Sequence, residues 1–465
     1  MTFLPETAPA QKPWRFIVTC DSRGQTNGIQ VTILSELVEE VTSRGVDFVL
    51  FPGDLVSGYV TDGPSEFEAQ LRAWIQIVKP VYDAGVGVYV CRGNHEIIDV
   101  WGRHPRPDID PNDNYATRWL NVFGDELFTQ QKLPDNGPDG EKYMTYSVVH
   151  KNAFIVLLDG YAGIRHDTVN RVNQKWLKAQ LSVNTSPHIF ITTHEPAFRA
   201  FHADCLDNWP AERDMLWSSI RNAGGRVFLC GHDHFYDHAQ VVDEDGDLAN
   251  DIHQYIIGTA GARLYSWSPP YTGNKSSYTV EQRHHAEEYG YVLVEVDDLD
   301  VTLTWMERHT KDLNVPGSYK PRESWSYVAA PRPIVVRPNG GEKLTAAGAY
   351  SITWKTIEGA QVDSVIIEYS TDAGQNWQQI SQQPNTGSYQ WDPVPPADSN
   401  QCLVRISDVR DRTISDVSDG TFTIFQCQKT LAGDLNGDCY VDLLDFAILA
   451  GDWLQCGNPF DAACE

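Results

Sequence analysis

Across the first two thirds of the chain, short apolar runs alternate with longer stretches whose apolar residues recur at helical spacing. The runs WRFIVTC, DFVLFPG, GVYVCRG, AFIVLLD, IFITTHE and RVFLCGH are rich in β-branched and aromatic residues and read as buried strands. Each runs into Gly, Asp, His or Cys at its end. Between several of them, IQVTILSELVEEVTSRG and EFEAQLRAWIQIVKPVYDAG carry the period of amphipathic helices. Alternating strand and helix predicts a sheet covered by helices, with function at the C-terminal ends of the strands. Further on, HQYIIGTAG, EYGYVLVEVD and LDVTLTWMERH read as antiparallel strands finishing a second sheet.

The pattern breaks near SYKPRESWSYVAAPRPIVVRPNGGE, which is rich in Pro and Ser and has no helical period, so it reads as a linker. Beyond it, YSITWKT, VDSVIIEYS, GSYQWDP, CLVRISD and GTFTIF are strand-like runs separated by the turn signals PNGGE, TDAGQNW and PPADSN. That spacing predicts a small β-sandwich. The expected organisation is an N-terminal extension at 1–13, an α/β domain at 14–312, a linker at 313–331, a sandwich at 332–426 and a C-terminal segment at 427–465.

Composition changes the picture in two ways. Hydrophobic residues make up 41% and charged residues 21%, and the net charge is −27. So acidic a surface repels nucleic acid and anionic lipid, and neither is an expected partner. It also repels a phosphorylated substrate, so a phosphate site must reverse the field locally, which bound divalent cations do most directly. No apolar run approaches the roughly 20 residues of a membrane span. The start MTFLPETAPAQKPW lacks the basic-then-apolar pattern of a signal peptide, although it fits what remains after one is removed. Nine cysteines are present, of which Cys427, Cys439, Cys456 and Cys464 crowd the end of the chain. Their density suits disulfides in an oxidising compartment and places the protein outside the cell or on its surface. Cys20, Cys91 and Cys230 end apolar runs and read as buried free thiols.

Five short motifs sit where strands should meet loops: CDSRG (Asp21, Arg23), PGD (Asp54), RGNHE (Asn94, His95), TTHE (His194) and CGHDH (His232, His234). Singly, each is an ordinary turn or a hydrogen-bonded histidine. Jointly they offer two carboxylates, an amide and four imidazoles, a donor set that suits Zn, Mn, Fe or Ni. Such a set holds two ions roughly 3.5–4 Å apart.

In this order the motifs resemble those of the calcineurin-like metallophosphoesterase family over about residues 14–310. YMTYSVVHKNAFIVLLDG, the helix NQKWLKAQL, the turn IIGTAGARLY and the strand EYGYVLVEV are similar to later family features. The resemblance implies a four-layer αββα sandwich and hydrolysis of phosphomonoesters or phosphodiesters by metal-activated hydroxide, without a protein nucleophile. It implies that Asp21 and His234 bind a first divalent transition-metal ion, that Asp54 bridges two, and that Asn94, His194 and His232 hold the second. His95 is then the catalytic, non-ligating histidine beside the scissile phosphate.

The family pattern D-x-H reads Asp21-Ser22-Arg23 here, and a guanidinium cannot ligate a metal. Three states are open. Another group completes a two-metal site, the enzyme runs on one tightly held ion, or the domain is an impaired scaffold. Arg23 itself either pairs with a phosphate oxygen as a catalytic residue or makes a structural ion pair. Ser57 stands where purple acid phosphatases have Tyr and phosphoprotein phosphatases have Asp, and Tyr59 is out of register, so neither subfamily is expected. Arg92, Glu96, Glu195, Asp233, His238 and Arg263 are candidates to orient ligands, and His284 and His285 to reach the cleft. Loops 99–142 and 199–215 are expected to shape the pocket.

In the tail, Asp434, Asn436, Asp438, Asp442 and Asp445 stand at positions 1, 3, 5, 9 and 12 of an EF-hand-like Ca²⁺ loop, with the Tyr440 carbonyl at 7. Position 6 is Cys439 rather than Gly, and position 12 is Asp rather than Glu. The segment resembles a single dockerin type I repeat, where dockerins carry two. A cohesin-like or cell-surface partner is therefore an expectation. The sandwich resembles the immunoglobulin- or fibronectin-like modules of secreted bacterial proteins, as a spacer or a carbohydrate binder.

Overall fold

The computed structural model of the chain describes residues 12–58, 64–97, 115–124, 131–161, 170–243, 246, 248, 250–330, 332–357, 362–429, 431–435, 439–451 and 453. Its contacts divide it into two compact units, Met1–Ala330 and Pro331–Glu465.

The first unit runs β1 (Trp14–Val18), β2 (Arg23–Thr26), α1 (Val31–Ser43), β3 (Phe48–Pro52), α2 (Pro64–Asp83), β4 (Gly87–Cys91), α3 (Tyr115–Phe123), β5 (Tyr146–His150), β6 (Ala153–Leu158), α4 (Gln174–Val183), β7 (His188–Thr193), α5 (Pro210–Asn222), β8 (Val227–Cys230), β9 (Tyr236–Val242), β10 (Ile252–Ile257), β11 (Thr279–Ala286), β12 (Gly290–Asp297), β13 (Asp300–Arg308) and β14 (Tyr319–Val328). Helix α1 buries Ile33, Leu34, Leu37, Val38 and Val41, a stripe at three- and four-residue spacing, and the Gln30 side chain caps it by accepting the Thr32 N–H. Asn173 caps α4 through the Trp176 N–H, and Pro210 opens α5, where a missing N–H costs nothing.

Two sheets result, with strand orders β14-β13-β12-β1-β3-β4 and β11-β9-β10-β8-β7-β6-β5. Strands β1, β3 and β4 are parallel, as are β6, β7, β8 and β10. The period-two pattern decides what each face meets. Along β6, Ala153, Ile155 and Leu157 join the core shared with Phe16 and Leu50 of the first sheet, whereas Phe154, Val156 and Leu158 pack with Leu177 of α4 and Leu216 and Trp217 of α5. On the first sheet, Phe16 meets Phe190 of β7 across the core at 5.1 Å, and Phe51 meets Trp74 of α2 at 5.2 Å. Helices thus cover the outer faces of two sheets packed on each other.

Two sequence expectations are corrected. Strands β12 and β13 complete the first sheet rather than the second, with β12 antiparallel to β1 in the register Ile17↔Leu293. The reason lies in GYVLVEV, whose side chains are buried on both faces, as a central strand requires. The expected linker 313–331 contains β14, paired antiparallel to β13 at the sheet edge. Its Lys320, Pro321 and Arg322 are what an exposed edge tolerates, and they disguised the strand as a loop.

The second unit pairs a three-stranded sheet (Pro333–Arg337, Tyr350–Thr356, Ser388–Trp391) with a larger one built on Lys343–Thr345, Phe422–Phe425, Ser399–Asp408, Ser364–Ser370 and Gln378–Pro384. Val335, Ile352, Trp354, Val365, Ile367, Val404 and Ile424 share one core. The tail contains a helix at Leu443–Gly451 and the disulfide Cys427–Cys439. Leu443, Leu444, Phe446 and Trp453 are exposed there. Cys456 and Cys464 lie outside the described residues, whereas Cys20, Cys91 and Cys230 are buried free thiols.

Candidate metal centre

All five motifs leave the C-terminal ends of parallel strands, where the two sheets abut. The turn after β1 is held by Ser22, whose hydroxyl donates to the Leu55 carbonyl at 2.8 Å and accepts from the Trp74 indole at 2.9 Å. The Asp21 N–H donates to Gly53 and the Ser22 N–H to Asp54, which ties this turn to the one after β3. Between the sheets, the His232 N–H donates to Asp21 Oδ2 at 3.1 Å. Asp21, Asp54 and His232 have φ of 64°, 52° and 70°. Left-handed backbone at non-glycine residues costs of order 1–2 kcal/mol each, and here it turns three side chains into one space. Two glycines permit the close approach. A Cβ on Gly93 would lie 2.3 Å from Asp54 Oδ1, and one on Gly231 would lie 2.3 Å from Asp21 Oδ2.

Hydrogen bonds to backbone carbonyls outside the cluster set the tautomers of His194 and His234. His194 Nδ1 lies 2.9 Å from the Pro52 carbonyl and donates to it, which leaves a lone pair on Nε2. That lone pair is 3.1 Å from Asn94 Oδ1 and 3.4 Å from Asp54 Oδ1. His232 Nδ1 is 3.2 Å from the same Asn94 oxygen. His234 Nδ1 donates to the Arg263 carbonyl at 2.9 Å, so its Nε2 lone pair faces Asp21 Oδ1 at 3.5 Å. Asp21 Oδ1 is buried without a hydrogen-bond partner among the described residues. Burial pushes the Asp54 carboxyl up, but His95 and Arg23, among its neighbours, outweigh it and hold the group below its ordinary range as a carboxylate. Lone pairs and carboxylate oxygens that converge without protons between them repel one another unless a cation joins them. The donor spacings of 3.1–3.4 Å match the edges of a coordination shell with bonds of about 2.0–2.1 Å. Oxygens of Asp21 and Asp54 and a ring nitrogen of His194 lie within 4.8 Å of one another. The residues present therefore fit a divalent transition metal.

His95 is arranged differently. Its Nδ1 lies 2.6 Å from the Ser57 carbonyl and its Nε2 lies 3.9 Å from Asp54 Oδ2, outside the lone-pair cluster. Burial pushes its pKa down, against the pull of Asp54. Glu96 lies beneath the site and accepts the N–H groups of Gly93 (2.7 Å), Asp54 (2.9 Å) and Val56 (3.3 Å). Burial and the Asp54 charge push it up to about 8, against these three donors. Arg23 lies 3.3 Å from Asp54 Oδ2 and 3.3 Å from His234 Nε2, and it donates to the Tyr265 hydroxyl at 3.2 Å.

The other candidates divide. Asp233 accepts from the His202 ring at 2.6 Å and from the Phe201 and His202 amides at 3.0 Å. Arg92 pairs with Asp159 at 2.7 Å, and Glu195 is fully buried, its carboxyl raised by that burial. Arg263 contributes its carbonyl rather than its guanidinium. His238 is drawn away to Glu323 and His253, His284 lies on Tyr236, and His285 lies beside Asp237. Sequence reasoning did not single out His202, whose ring lies 4.3 Å from that of His232, nor Asp204, 3.6 Å from His232 Nε2, nor Tyr265, stacked on His234 at 4.2 Å. Their only signal was membership of loop 199–215 or of the Gly-rich turn. Residues 99–114 and 125–130 of the other expected loop, and Tyr59, lie outside the described residues.

Fold and site define an α/β domain with a metal-ligand cluster at the abutting ends of two sheets. Residues 27–236 match the family model described as Calcineurin-like phosphoesterase. The match takes in Asp54, Asn94, His95, His194, His232 and His234, and it begins after Asp21 and Arg23. No curated protein matches the chain. The family supports metal-dependent phosphoester hydrolysis.

Proposed function

We propose that the first unit, from β1 through β14, forms a phosphohydrolase that cleaves phosphomonoesters or phosphodiesters with the help of divalent metal ions such as Mn, Zn, Fe or Ni. The observation that carries this reading is the convergence of the Asn94, His194, His232 and Asp54 donor atoms at neighbouring distances of 3.1–3.4 Å. A bound ion supplies a hydroxide at neutral pH and neutralises phosphoryl oxygens. The chain's own residues do the rest. The Ser57 carbonyl holds the His95 Nδ1–H and so aims Nε2 at a phosphoryl or leaving oxygen, to which it donates whenever the ring takes up a second proton. Asp204 and His202 orient His232 from behind. Turnover of a chromogenic phosphomonoester and phosphodiester is expected with at least one of Mn, Zn, Ni, Fe or Co, and its loss with EDTA. No turnover with any of the five would sink this reading in favour of an impaired scaffold, the alternative that Arg23 in a ligand position favours.

We infer in addition that the protein works outside the cell or on its surface, with residues 332–426 as an immunoglobulin-like spacer and 427–465 as a calcium-bound attachment segment for a cohesin-like or cell-surface partner. The tail offers support. Cys439, at the loop's sixth position, has φ 71°, the left-handed conformation that position requires. Asp445 accepts the N–H groups of Leu435 (2.6 Å) and Asp442 (2.8 Å), drawing both ends of the loop together. Asn436 and Asp438 lie outside the described residues. Calorimetric titration of the full chain should show a calcium site that Asp434→Ala with Asp445→Ala removes. Unchanged binding in that variant would place calcium elsewhere.

A further inference from the structure

The two halves of the cluster are not alike. Around Asn94 Oδ1, the bare Nε2 of His194, the Nδ1 of His232 and the Oδ1 of Asp54 converge, and no cationic side chain among the described residues faces them. On the other side, atoms of the same kind already face a cation. The Arg23 guanidinium lies 3.3 Å from the bare His234 Nε2 and 3.3 Å from Asp54 Oδ2. Asp54 is thereby divided: Oδ1 faces His194 and the His95 N–H, while Oδ2, the arm that would bridge to a second ion, faces Arg23.

The guanidinium is not a loose surface group. It donates to the Tyr265 hydroxyl at 3.2 Å, and the Tyr265 ring lies flat on His234 at 4.2 Å. The backbone of Arg23 begins β2, which closes on itself through the Gly24 N–H to Gly28 carbonyl bond and the Arg23↔Ile29 bridge. The Ser57 hydroxyl pins the same turn by donating to the Gly24 carbonyl at 2.7 Å. The hairpin fixes the backbone that carries Arg23, and the Tyr265 hydroxyl, His234 and Asp54 hold its guanidinium in place. A guanidinium has no lone pair and no accessible neutral form. A dication drawn to His234 and Asp54 Oδ2 would sit against a permanent positive charge.

We propose that Arg23 is a resident cation in place of the first metal ion, so that the chain holds one transition-metal ion, at Asp54, Asn94, His194 and His232, and turns its guanidinium toward the substrate's phosphoryl group. The proposal rests on the metal-dependent reading above, and it replaces the two-ion expectation from the motifs. Its side chain is 24% exposed, enough for a phosphoryl oxygen to reach it.

The test is a metal count rather than an activity. The full chain is kept in saturating calcium so that its acidic tail does not take the probe. It is then loaded with Mn²⁺, desalted, and read by elemental analysis and electron paramagnetic resonance. The wild type should hold one equivalent with an uncoupled spectrum. Arg23→His should hold two with an exchange-coupled spectrum. Two equivalents or exchange coupling in the wild type overturns the proposal, as does a folded Arg23→His that stays at one. Should Arg23→His not fold, Arg23→Ala serves, with a second equivalent expected as free Mn²⁺ is raised. A wild type that takes no Mn²⁺ overturns the metal-dependent reading and this one with it, whereas one equivalent without turnover overturns the hydrolase reading alone.

Discussion

Replacing His95 by Ala lowers kcat by about 10²–10⁴, the usual contribution of a positioned proton donor, and leaves metal content unchanged. Both halves follow from the geometry. The Nδ1 of His95 is engaged by the Ser57 carbonyl at 2.6 Å, and its Nε2 is 3.9 Å from Asp54 Oδ2. The ring therefore stands beside the lone-pair cluster without contributing a donor atom to it. Single-turnover kinetics beside elemental analysis would check this. Loss of metal in step with activity would make His95 a ligand, and unchanged kcat would leave it a structural residue.

Replacing Glu96 by Ala destabilises the first unit by at least ~3 kcal/mol. Three buried amide donors, on Gly93, Asp54 and Val56, lose their acceptor together, at about 1–3 kcal/mol each. Because two of them flank Asp54 and Asn94, metal affinity falls as well, by the 10–100-fold typical of residues that orient ligands. Glu96→Gln keeps one acceptor oxygen and should recover part of the stability. Chemical denaturation with and without added Mn²⁺ would measure both effects. A loss below ~1 kcal/mol in the Ala variant would mean that water replaces the carboxylate and that the loops are not held from below.

Glu96 also shows what local sequence conveys and what it does not. GNHE marks a strand-end turn with polar side chains, but nothing in the motif says that Asn94 turns into the cluster, His95 stands beside it and Glu96 points down into the protein. That division comes from the short helical turn Asn94–Glu96, which sends successive side chains in different directions. His238 teaches the converse. It lies four residues beyond His234, yet β9 has begun by then, and the sheet directs its ring to Glu323 and His253. Asp204 and His202 carried no motif because loop 199–215 reaches the site only through the fold.

The strand at Tyr319–Val328 was hidden for a related reason. An edge strand buries little, so its composition follows solvent rather than core, and only its pairing with β13 reveals it. The placing of β12 beside β1 could not be read either. Any strand buried on both faces looks alike in sequence, and long-range register selects its partner.

By itself the sequence determined the alternation of strands and helices, the two-faced burial of the central strands and the identity of the donor groups at their ends. These follow from local periodicity and from the chemistry of each side chain. Only the tertiary structure decided that the ends of two separate sheets abut, that His194 and His234 give their Nδ1 protons to backbone carbonyls and so turn bare Nε2 atoms inward, and that Arg23 faces Asp54. A cation set against a carboxylate more than thirty positions away in the chain is a fact of packing between loops, and no local pattern encodes it.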